Sequence, residues 1–280
     1  MAVVVAVAGT TAAMAAQTPS FRARVDGVRI DVLATENGRP VTSLTAADLD
    51  VRDNGVRQAI DLLSVSDVGL SVVLALDLSA SVNGPRLLVL RRAGRTLVDA
   101  LGPKDAAALV TFDRAAVRRV PLTSSFDDVR RALDATTADG YTALVDATQA
   151  ALLLGAADVG RTLVMVFSDG VDTASFTPPA VVVEAARRAN SVLYAVSASD
   201  DATRFLRDAT GATGGRVIEI DEGDDPGPAF LEILEEFRRR YVVTYVPTGV
   251  TPGGWHTVDI RVTRPNVRVR ARSGYFSAAP

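Results

Sequence analysis

Small oxygen-bearing side chains stand at the ends of two long apolar runs and in a loop between them. The run at 70–82, LSVVLALDLSASV, is unbroken until an acid, and two serines follow it at alternate positions. A second run, TLVMVFSDG, also ends in an acid, and a threonine lies in DGYTALVDA between the two runs. The residues concerned are Asp77, Ser79, Ser81, Thr142 and Asp169. Carboxylate and hydroxyl oxygens, without nitrogen or sulfur, are the ligands that a hard divalent cation such as Mg²⁺ prefers, so this set predicts a cation site.

The spacing of the first three residues supports this interpretation. In an extended turn, alternate side chains project to the same side, so Asp77, Ser79 and Ser81 can point toward one centre. Gly140 and Gly170 stand where the other two loops must approach closely, and glycine allows the backbone conformations that such loops need.

Continuous apolar segments alternate with helical segments through the middle of the chain. The apolar segments are SVVLALD, AALVTF, TLVMVFSD and SVLYAVSA, and the helical ones include RLLVLRRAGRTLVDAL and TALVDATQAALLLG. Strands that lack polar alternation are buried on both faces, which is typical of a parallel sheet covered by helices. We therefore predict a doubly wound, mostly parallel α/β domain over 67–240. In such sheets ligands bind beyond the carboxyl ends of the strands, where the predicted site residues stand.

Both ends of the chain alternate polar and apolar residues instead. In the N-terminal flank the alternation is broken at Asn37-Gly38 and Asn54-Gly55, and this dipeptide is typical of two-residue hairpin turns. The C-terminal flank contains three further candidate strands, RYVVTYVPTG, WHTVDIRVTRP and VRVRARSGYF. Each flank is too short to hold a core alone. We predict that 21–66 and 241–280 pair into one small β-sandwich, with the α/β domain inserted between its strands.

The composition excludes several classes of site. The chain has 280 residues, 48% of them hydrophobic and 22% charged, which is typical of a folded protein of one or two domains. It has no cysteine, so disulfides, thiolate metal sites and cysteine nucleophiles are excluded. Its single histidine, His256, argues against a histidine-rich metal site, and we interpret it as a structural or surface residue rather than a catalytic one. The balance of 30 basic and 33 acidic residues gives no reason to expect a nucleic-acid partner.

The first 20 residues are similar to a secretory leader. An apolar stretch is followed by Ala13-Met14-Ala15, as in a signal peptide with a small-residue cleavage site. The stretch is too short to span a bilayer, which needs about 20 apolar residues, and no other segment reads as an integral membrane helix. We therefore predict an exported protein, periplasmic or extracellular, with 1–20 as a signal peptide or disordered leader.

The five oxygen donors and their context resemble the metal-ion-dependent adhesion site of von Willebrand factor type A domains. The resemblance rests on Asp77-x-Ser79-x-Ser81, then Thr142, then Asp169 in FSDG, within the α/β region. The flanks resemble a bacterial exported subgroup of related proteins in the strings RIDVLATENGRPVTSLTAADLDVRDNG and YVVTYVPTG. One departure is the tyrosine directly before the threonine, Tyr141, where a second glycine is common in the family.

The resemblance implies a role for each of the five residues. Ser79, Ser81 and Thr142 would bind a divalent cation directly through their hydroxyls. Asp77 and Asp169 would act directly or through water. Mg²⁺ is the expected ion, with Mn²⁺ or Ca²⁺ as alternatives. A carboxylate from a partner protein would complete the coordination sphere, which implies a non-catalytic adhesion or binding module.

Other interpretations stay open at this point. Serine and threonine after a strand are often only helix caps, as Ser81 and Thr142 could be. A cation beside carboxylates also suits a metal-dependent phosphohydrolase, although no lysine and no glycine-rich phosphate loop stands near these strand ends. A third alternative is a structural module with an idle metal site. The acidic run at 221–225 lacks the spacing of a calcium loop and is interpreted as solvated, while Asp113 and Asp172 are interpreted as turn residues.

Overall fold

The computed structural model describes residues 27–65, 68–156 and 160–277. The predicted leader, 1–20, lies outside these residues. Within the described ranges, no helix combines the length and the apolar character that crossing a membrane requires.

The N-terminal flank forms five short strands. They are β1 (Val28–Glu36), β2 (Arg39–Pro40), β3 (Leu49–Asp53), β4 (Val56–Arg57) and β5 (Leu62–Val65). The tight turns after β1 and β3 each hold an Asn-Gly pair in the left-handed region, with φ of 50° and 79° at Asn37 and Gly38, and 45° and 83° at Asn54 and Gly55. Asparagine and glycine tolerate this conformation, and the antiparallel pairing of the flanking strands confirms both predicted hairpins.

The middle of the chain alternates strands and helices. Its strands are β6 (Leu70–Asp77), β7 (Ala106–Phe112), β8 (Ala116–Thr123), β9 (Arg161–Ser168), β10 (Val192–Ser197) and β11 (Val217–Glu219). Its helices are α1 (Pro85–Asp99), α2 (Phe126–Asp134), α3 (Leu144–Ala156), α4 (Pro179–Arg188), α5 (Asp200–Thr213) and α6 (Gly227–Arg238).

The six central strands form one sheet in the order β11-β10-β9-β6-β7-β8. All neighbours are parallel except β8, which runs antiparallel to β7 at the edge. The predicted fold class is confirmed. The sequence pattern does not predict β8, because its residues are mostly exposed and it lacks the apolar run of the other strands.

Alternate residues of each central strand enter two separate apolar layers. In β6, Val72, Leu74 and Leu76 pack in the layer that contains α1 and α6. Val73 and Ala75 pack in the opposite layer, with α3, α4 and α5. Because side chains alternate across a strand, a strand that is covered on both faces must be apolar throughout.

The C-terminal flank adds four strands to those of the N-terminal flank. They are β12 (Tyr241–Tyr245), β13 (Gly254–Val262), β14 (Val267–Arg270) and β15 (Gly274–Ser277). Strands of both flanks intermix in two antiparallel sheets, β14-β1-β12-β5, with β2 on β1, and β15-β13-β3-β4. Val243 and Val258, one from each sheet, lie in the core that the sheets share, as in the predicted β-sandwich. The boundaries of the domains, 21–66 with 241–280 and 67–240, stay predictions.

The segment 267–276, predicted as one strand, forms two. β14 pairs with β1 in one sheet and β15 pairs with β13 in the other, so the chain crosses between the sheets at 271–273. At the crossing, Arg272 Nη2 donates to the carbonyl of Arg29 at 2.7 Å, and Nη1 donates to Asn190 Oδ1 at 2.9 Å. The alternation in VRVRAR continues past Arg270, where β14 ends, so the sequence pattern does not show the break.

A buried ion pair joins the sandwich to the parallel sheet at the amino end of its strands. Arg161, the first residue of β9, donates from Nε to Asp31 Oδ1 on β1 at 2.8 Å. Its Nη2 also donates to the carbonyls of Phe237 and Arg240, where α6 leads into β12. Arg161 is 1% exposed and Asp31 is 8% exposed, so water does not screen this pair.

Arg240 makes a second connection at the same place. It is fully buried, its Nη1 donates to the carbonyl of Asp31 at 3.2 Å, and its Nε donates to Tyr194 Oη on β10 at 3.0 Å. Arg240, between the end of α6 and the start of β12, is therefore bonded both to the sandwich and to the parallel sheet.

We predict that Asp31→Asn lowers the free energy of unfolding by about 3–5 kcal/mol, because it leaves the buried Arg161 charge uncompensated. Denaturation in guanidinium chloride measures this loss. The matched control is Glu184→Gln, which removes an exposed ion pair with Arg188 on α4 and should cost less than about 1 kcal/mol. Equal losses in the two variants would contradict the role given to the buried pair.

Candidate metal centre

The predicted oxygen donors lie at the carboxyl edge of the parallel sheet. β6 ends at Asp77, and its neighbour β9 ends at Ser168, directly before Asp169. From β6 the chain proceeds outward through β7 and β8 and then returns to β9 on the other side. The strand order therefore reverses between β6 and β9, which is where ligands bind in open α/β sheets.

Four of the five predicted residues form a continuous hydrogen-bonded chain. Asp77 Oδ1 accepts from the backbone N–H of Ser79 at 2.9 Å, and Ser79 Oγ lies 3.0 Å from Ser81 Oγ. Ser81 Oγ donates to Asp169 Oδ1 at 2.7 Å. The loop after β6 and the loop after β9 thus bring their oxygens within hydrogen-bond distance of one another.

The fifth residue, Thr142, reaches the cluster from the loop before α3. A Cβ atom placed on Gly170 would lie 3.4 Å from Thr142 Oγ1, so this hydroxyl lies against the backbone next to Asp169. The backbone of Thr142 is held in place by Thr173, whose Oγ1 accepts from the Thr142 N–H at 3.1 Å. The N–H of Thr173 donates to the Thr142 carbonyl at 2.8 Å. The three loops named by the sequence prediction therefore meet at one place.

Asp77 is completely buried in this cluster. Burial raises the pKa of Asp77 to about 6, and the nearby charge of Asp169 acts in the same direction. Hydrogen bonds from Ser168 and Ser79 oppose these two effects. A buried carboxylate beside a second carboxylate is an environment that a cation would stabilise.

The serine hydroxyls are not used as helix caps. Ser79 precedes a short 3₁₀ helix, Ala80–Val82, but its side chain makes no capping hydrogen bond. Ser81 lies inside that short helix, and α1 begins only at Pro85. The capping interpretation of Ser81 is therefore wrong, and its hydroxyl bonds to the carboxylate of Asp169 instead.

The donor set combines hydroxyls with carboxylates rather than clustering acids. Among the residues that the structure describes, no group of three or more His, Cys, Asp or Glu side chains is placed to hold a metal ion. In the acidic run at 221–225, Glu222 pairs with Arg86 at 2.7 Å. Hydroxyl and carboxylate oxygens together suit a hard divalent cation, so the mixed cluster is the candidate metal centre.

Two further residues contact the cluster without being predicted from the sequence. Ser168 Oγ donates to Asp77 Oδ2 at 2.6 Å, so both oxygens of this carboxylate are held. Arg86 Nη1 donates to the Ser81 carbonyl at 3.2 Å and lies 3.8 Å from Asp169 Oδ2. The place of Ser168 directly before Asp169 is a signal that could have identified it. Arg86 has no such signal, because its contact depends on how α1 packs.

The other polar residues considered from the sequence have local partners. His256 is buried in the sandwich, and its Nδ1 lies 2.8 Å from Asp53 Oδ1. Asp113 Oδ1 accepts from the N–H of Ala115 at 3.2 Å, as a turn residue does. Asp172 Oδ1 accepts from Ser175 Oγ at 2.6 Å within its own loop.

The family model of the von Willebrand factor type A domain matches residues 72–171. This range contains most of β6, all of β9 and all five predicted donors. The chain contains a von Willebrand factor type A domain. The more specific assignment to a bacterial exported subgroup stays a prediction.

Several solved structures share the fold of this type A domain at low sequence identity. An aerotolerance-related membrane protein from Bacteroides fragilis is 18% identical, over 61% of this chain and 100% of its own, with a TM-score of 0.50. Proximal thread matrix protein 1 from the mussel byssus, solved with a zinc-occupied metal-ion-dependent adhesion site motif, is 19% identical over 65% of this chain and 48% of its own, with a TM-score of 0.54. The PilB minor pilin of Streptococcus sanguinis is 11% identical over 62% of each chain, with a TM-score of 0.51. No curated protein matches the chain.

We predict that Ser168→Ala lowers the free energy of unfolding by about 1.5–3 kcal/mol, because it removes a hydrogen bond to a buried carboxylate. Ser191→Ala is the matched control, since the Ser191 hydroxyl is buried without a hydrogen-bond partner in the described structure. Removing that unpaired hydroxyl should leave the stability unchanged or raise it. Chemical denaturation of both variants tests the difference, and equal stabilities would refute the role of Ser168.

Proposed function

We propose that this protein is a non-catalytic binding module that holds a divalent cation, Mg²⁺ in the first place, and captures an acidic group of a partner protein. One observation carries the proposal. Asp77, Ser79, Ser81 and Asp169 form one hydrogen-bonded oxygen cluster, with Thr142 beside it, where the strand order of the sheet reverses.

The residues present fit a hard divalent cation. Ser79, Ser81 and Thr142 would hold it through hydroxyl oxygens, and Asp77 and Asp169 would hold it directly or through water. When bound, the cation supplies a Lewis-acidic centre that attracts an oxygen from outside. Where the two carboxylates act through water, the direct donors are the uncharged hydroxyls of Ser79, Ser81 and Thr142, which leave the cation electrophilic and favour an anionic outside oxygen.

The electrostatics of the site imply that partner capture depends on the cation. Asp77 and Asp169 place two carboxylates within the cluster, while Glu222 at its edge is paired with Arg86. Without a cation the two cluster carboxylates would repel a carboxylate from a partner. Removal of the metal should therefore abolish the interaction rather than weaken it slightly.

The geometry favours binding over phosphoryl transfer. A phosphohydrolase that used Asp77 as its nucleophile would need one carboxylate oxygen to be free and accessible. In this structure Asp77 is completely buried, and its two oxygens accept from the Ser79 N–H and the Ser168 hydroxyl. These hydrogen bonds fix the Asp77 carboxylate in place as one of the groups around the proposed cation site.

The names of the structural relatives agree with this proposal. A mussel thread matrix protein that shares the fold carries a zinc-occupied adhesion-site motif, and a minor pilin shares the same fold. Together with the leader predicted over 1–20, they support a protein that acts outside the cytoplasm.

We predict that Thr142→Val weakens Mg²⁺ binding about tenfold or more, because it replaces a ligand hydroxyl by a methyl group of the same size. Isothermal titration calorimetry with Mg²⁺ and Mn²⁺ measures the change. Thr148→Val is the matched control, since Thr148 is also buried near the start of α3 but its hydroxyl donates to the Leu144 carbonyl at 2.8 Å. It should bind metal like the wild type.

Two outcomes would refute the proposal. Wild-type protein that binds neither cation would indicate a structural module with an idle site. Hydrolysis of para-nitrophenyl phosphate that is lost in Asp77→Asn would indicate a phosphohydrolase.

A further inference from the structure

Three large apolar side chains are exposed beside the oxygen cluster. Tyr141 is 64% exposed, Val171 is 47% exposed and Phe176 is 93% exposed. Tyr141 directly precedes Thr142, and Val171 follows Asp169 by two positions. We refer to Tyr141, Val171 and Phe176 together as the apolar rim.

Backbone hydrogen bonds bring the loop that carries Val171 and Phe176 onto the loop that carries Tyr141. The N–H groups of Thr173 and Ala174 both donate to the Thr142 carbonyl, at 2.8 and 3.1 Å. These two residues lie between Val171 and Phe176, so the loop that carries both rim residues is bonded to the backbone next to Tyr141. The two loops that carry the apolar rim also carry Thr142 and Asp169 of the candidate metal centre.

Phe176 is exposed on a backbone that is fixed on both sides. The carboxylate of Asp146 accepts from the N–H of Phe176 at 2.9 Å and from the N–H of Thr177 at 3.0 Å. One residue earlier, Ser175 Oγ donates to Asp172 Oδ1 at 2.6 Å. Partial burial raises the pKa of Asp146, but hydrogen bonds from Thr177 and Phe176 outweigh this effect and lower it overall. The loop is therefore bonded to a carboxylate that is charged at neutral pH.

This combination indicates a binding surface. A single exposed apolar residue needs no explanation, but several exposed apolar side chains on the loops of one polar site are typical of protein–protein contacts. Aromatic residues contribute most to such contacts, because they bury a large area at a low cost in side-chain entropy.

We infer that the partner presents an acidic side chain with apolar side chains immediately beside it, the acid for the cation and the apolar neighbours for the rim. This inference rests on the proposed function, because the acid needs a bound cation. Beyond that function, it states how the protein would distinguish one acidic partner from another, namely by the apolar side chains beside the acid. The occupant is thus a protein segment of defined chemistry rather than any anionic polymer, which would have no apolar groups for Phe176.

A bead-displayed library of short peptides with aspartate fixed at the centre and random flanking positions tests the inference. A second library with asparagine at the centre is the control for the acid. Selection with wild-type protein in Mg²⁺ should enrich aromatic and aliphatic residues beside the aspartate, and EDTA should abolish the selection. The asparagine library should give no Mg²⁺-dependent peptides.

Variants of the rim distinguish this inference from the proposed function. Phe176→Ser should lower the affinity for the best selected peptide about 10- to 100-fold. The Mg²⁺ affinity of this variant, measured by calorimetry, should stay within about twofold of the wild-type value. Phe176→Leu should recover most of the affinity. Leu153→Ser, at a position of α3 that is 64% exposed, is the control outside the rim and should have no effect on peptide binding.

Each outcome decides between the two claims. Mg²⁺-dependent peptides without apolar enrichment, or unchanged affinity in Phe176→Ser, would overturn the inference and leave the proposed function standing. Failure to select any Mg²⁺-dependent aspartate peptide would overturn both.

Discussion

Both oxygens of the buried Asp77 carboxylate are held, one by the backbone N–H of Ser79 and the other by the hydroxyl of Ser168. These donors come from the loop after β6 and from the end of β9, so the carboxylate links the two strands at the point where the order of the sheet reverses. A buried carboxylate is costly unless hydrogen bonds or a cation compensate for its lost hydration. The two donors provide the first kind of compensation, and they leave Asp169 and the hydroxyls of Ser79 and Ser81 for the second. The register of β6 against β9 therefore determines where the loops of Asp77, Ser79, Ser81 and Asp169 meet, while Thr142 is positioned through Thr173.

The strand β9 connects this site with the other buried charge of the molecule. Its first residue, Arg161, pairs with Asp31 of the sandwich, and its last, Ser168, bonds to Asp77. At about 3.3 Å per residue, these ends lie roughly 23 Å apart. The sandwich is consequently attached at the amino edge of the strands, while the site loops stand at the carboxyl edge. The described contacts of Arg161 and Arg240 with the sandwich therefore lie at the opposite edge of the sheet from the loops that carry the candidate metal centre.

The sequence predicted those parts of the structure that depend on local pattern. Continuous burial of β6 and β9 is visible as an apolar run, the hairpins are visible as Asn-Gly pairs, and Asp77-x-Ser79-x-Ser81 follows from alternation. Contacts between distant segments were not predictable in this way. Arg86 reaches the site through the packing of α1, and the break between β14 and β15 contains Arg272, whose acceptors on Arg29 and Asn190 are distant in sequence. Ser168 is an intermediate case, because its neighbour in sequence was recognised but its hydrogen bond crosses from one strand to the next.

The oxygen cluster and the apolar rim differ in their surroundings, and they would therefore serve different roles, cation binding for the cluster and partner discrimination for the rim. A cation attracts any accessible carboxylate with similar strength, so the cluster alone discriminates poorly among acidic partners. Discrimination requires contacts that differ between partners, and these must come from side chains that do not coordinate. Tyr141 and Phe176 meet this condition, because they are exposed and their replacement leaves the bonds of Asp77 untouched. Under the proposed function, cation affinity and partner choice would therefore change independently in this domain, the first through the buried hydrogen bonds of the sheet edge and the second through the exposed residues of its loops.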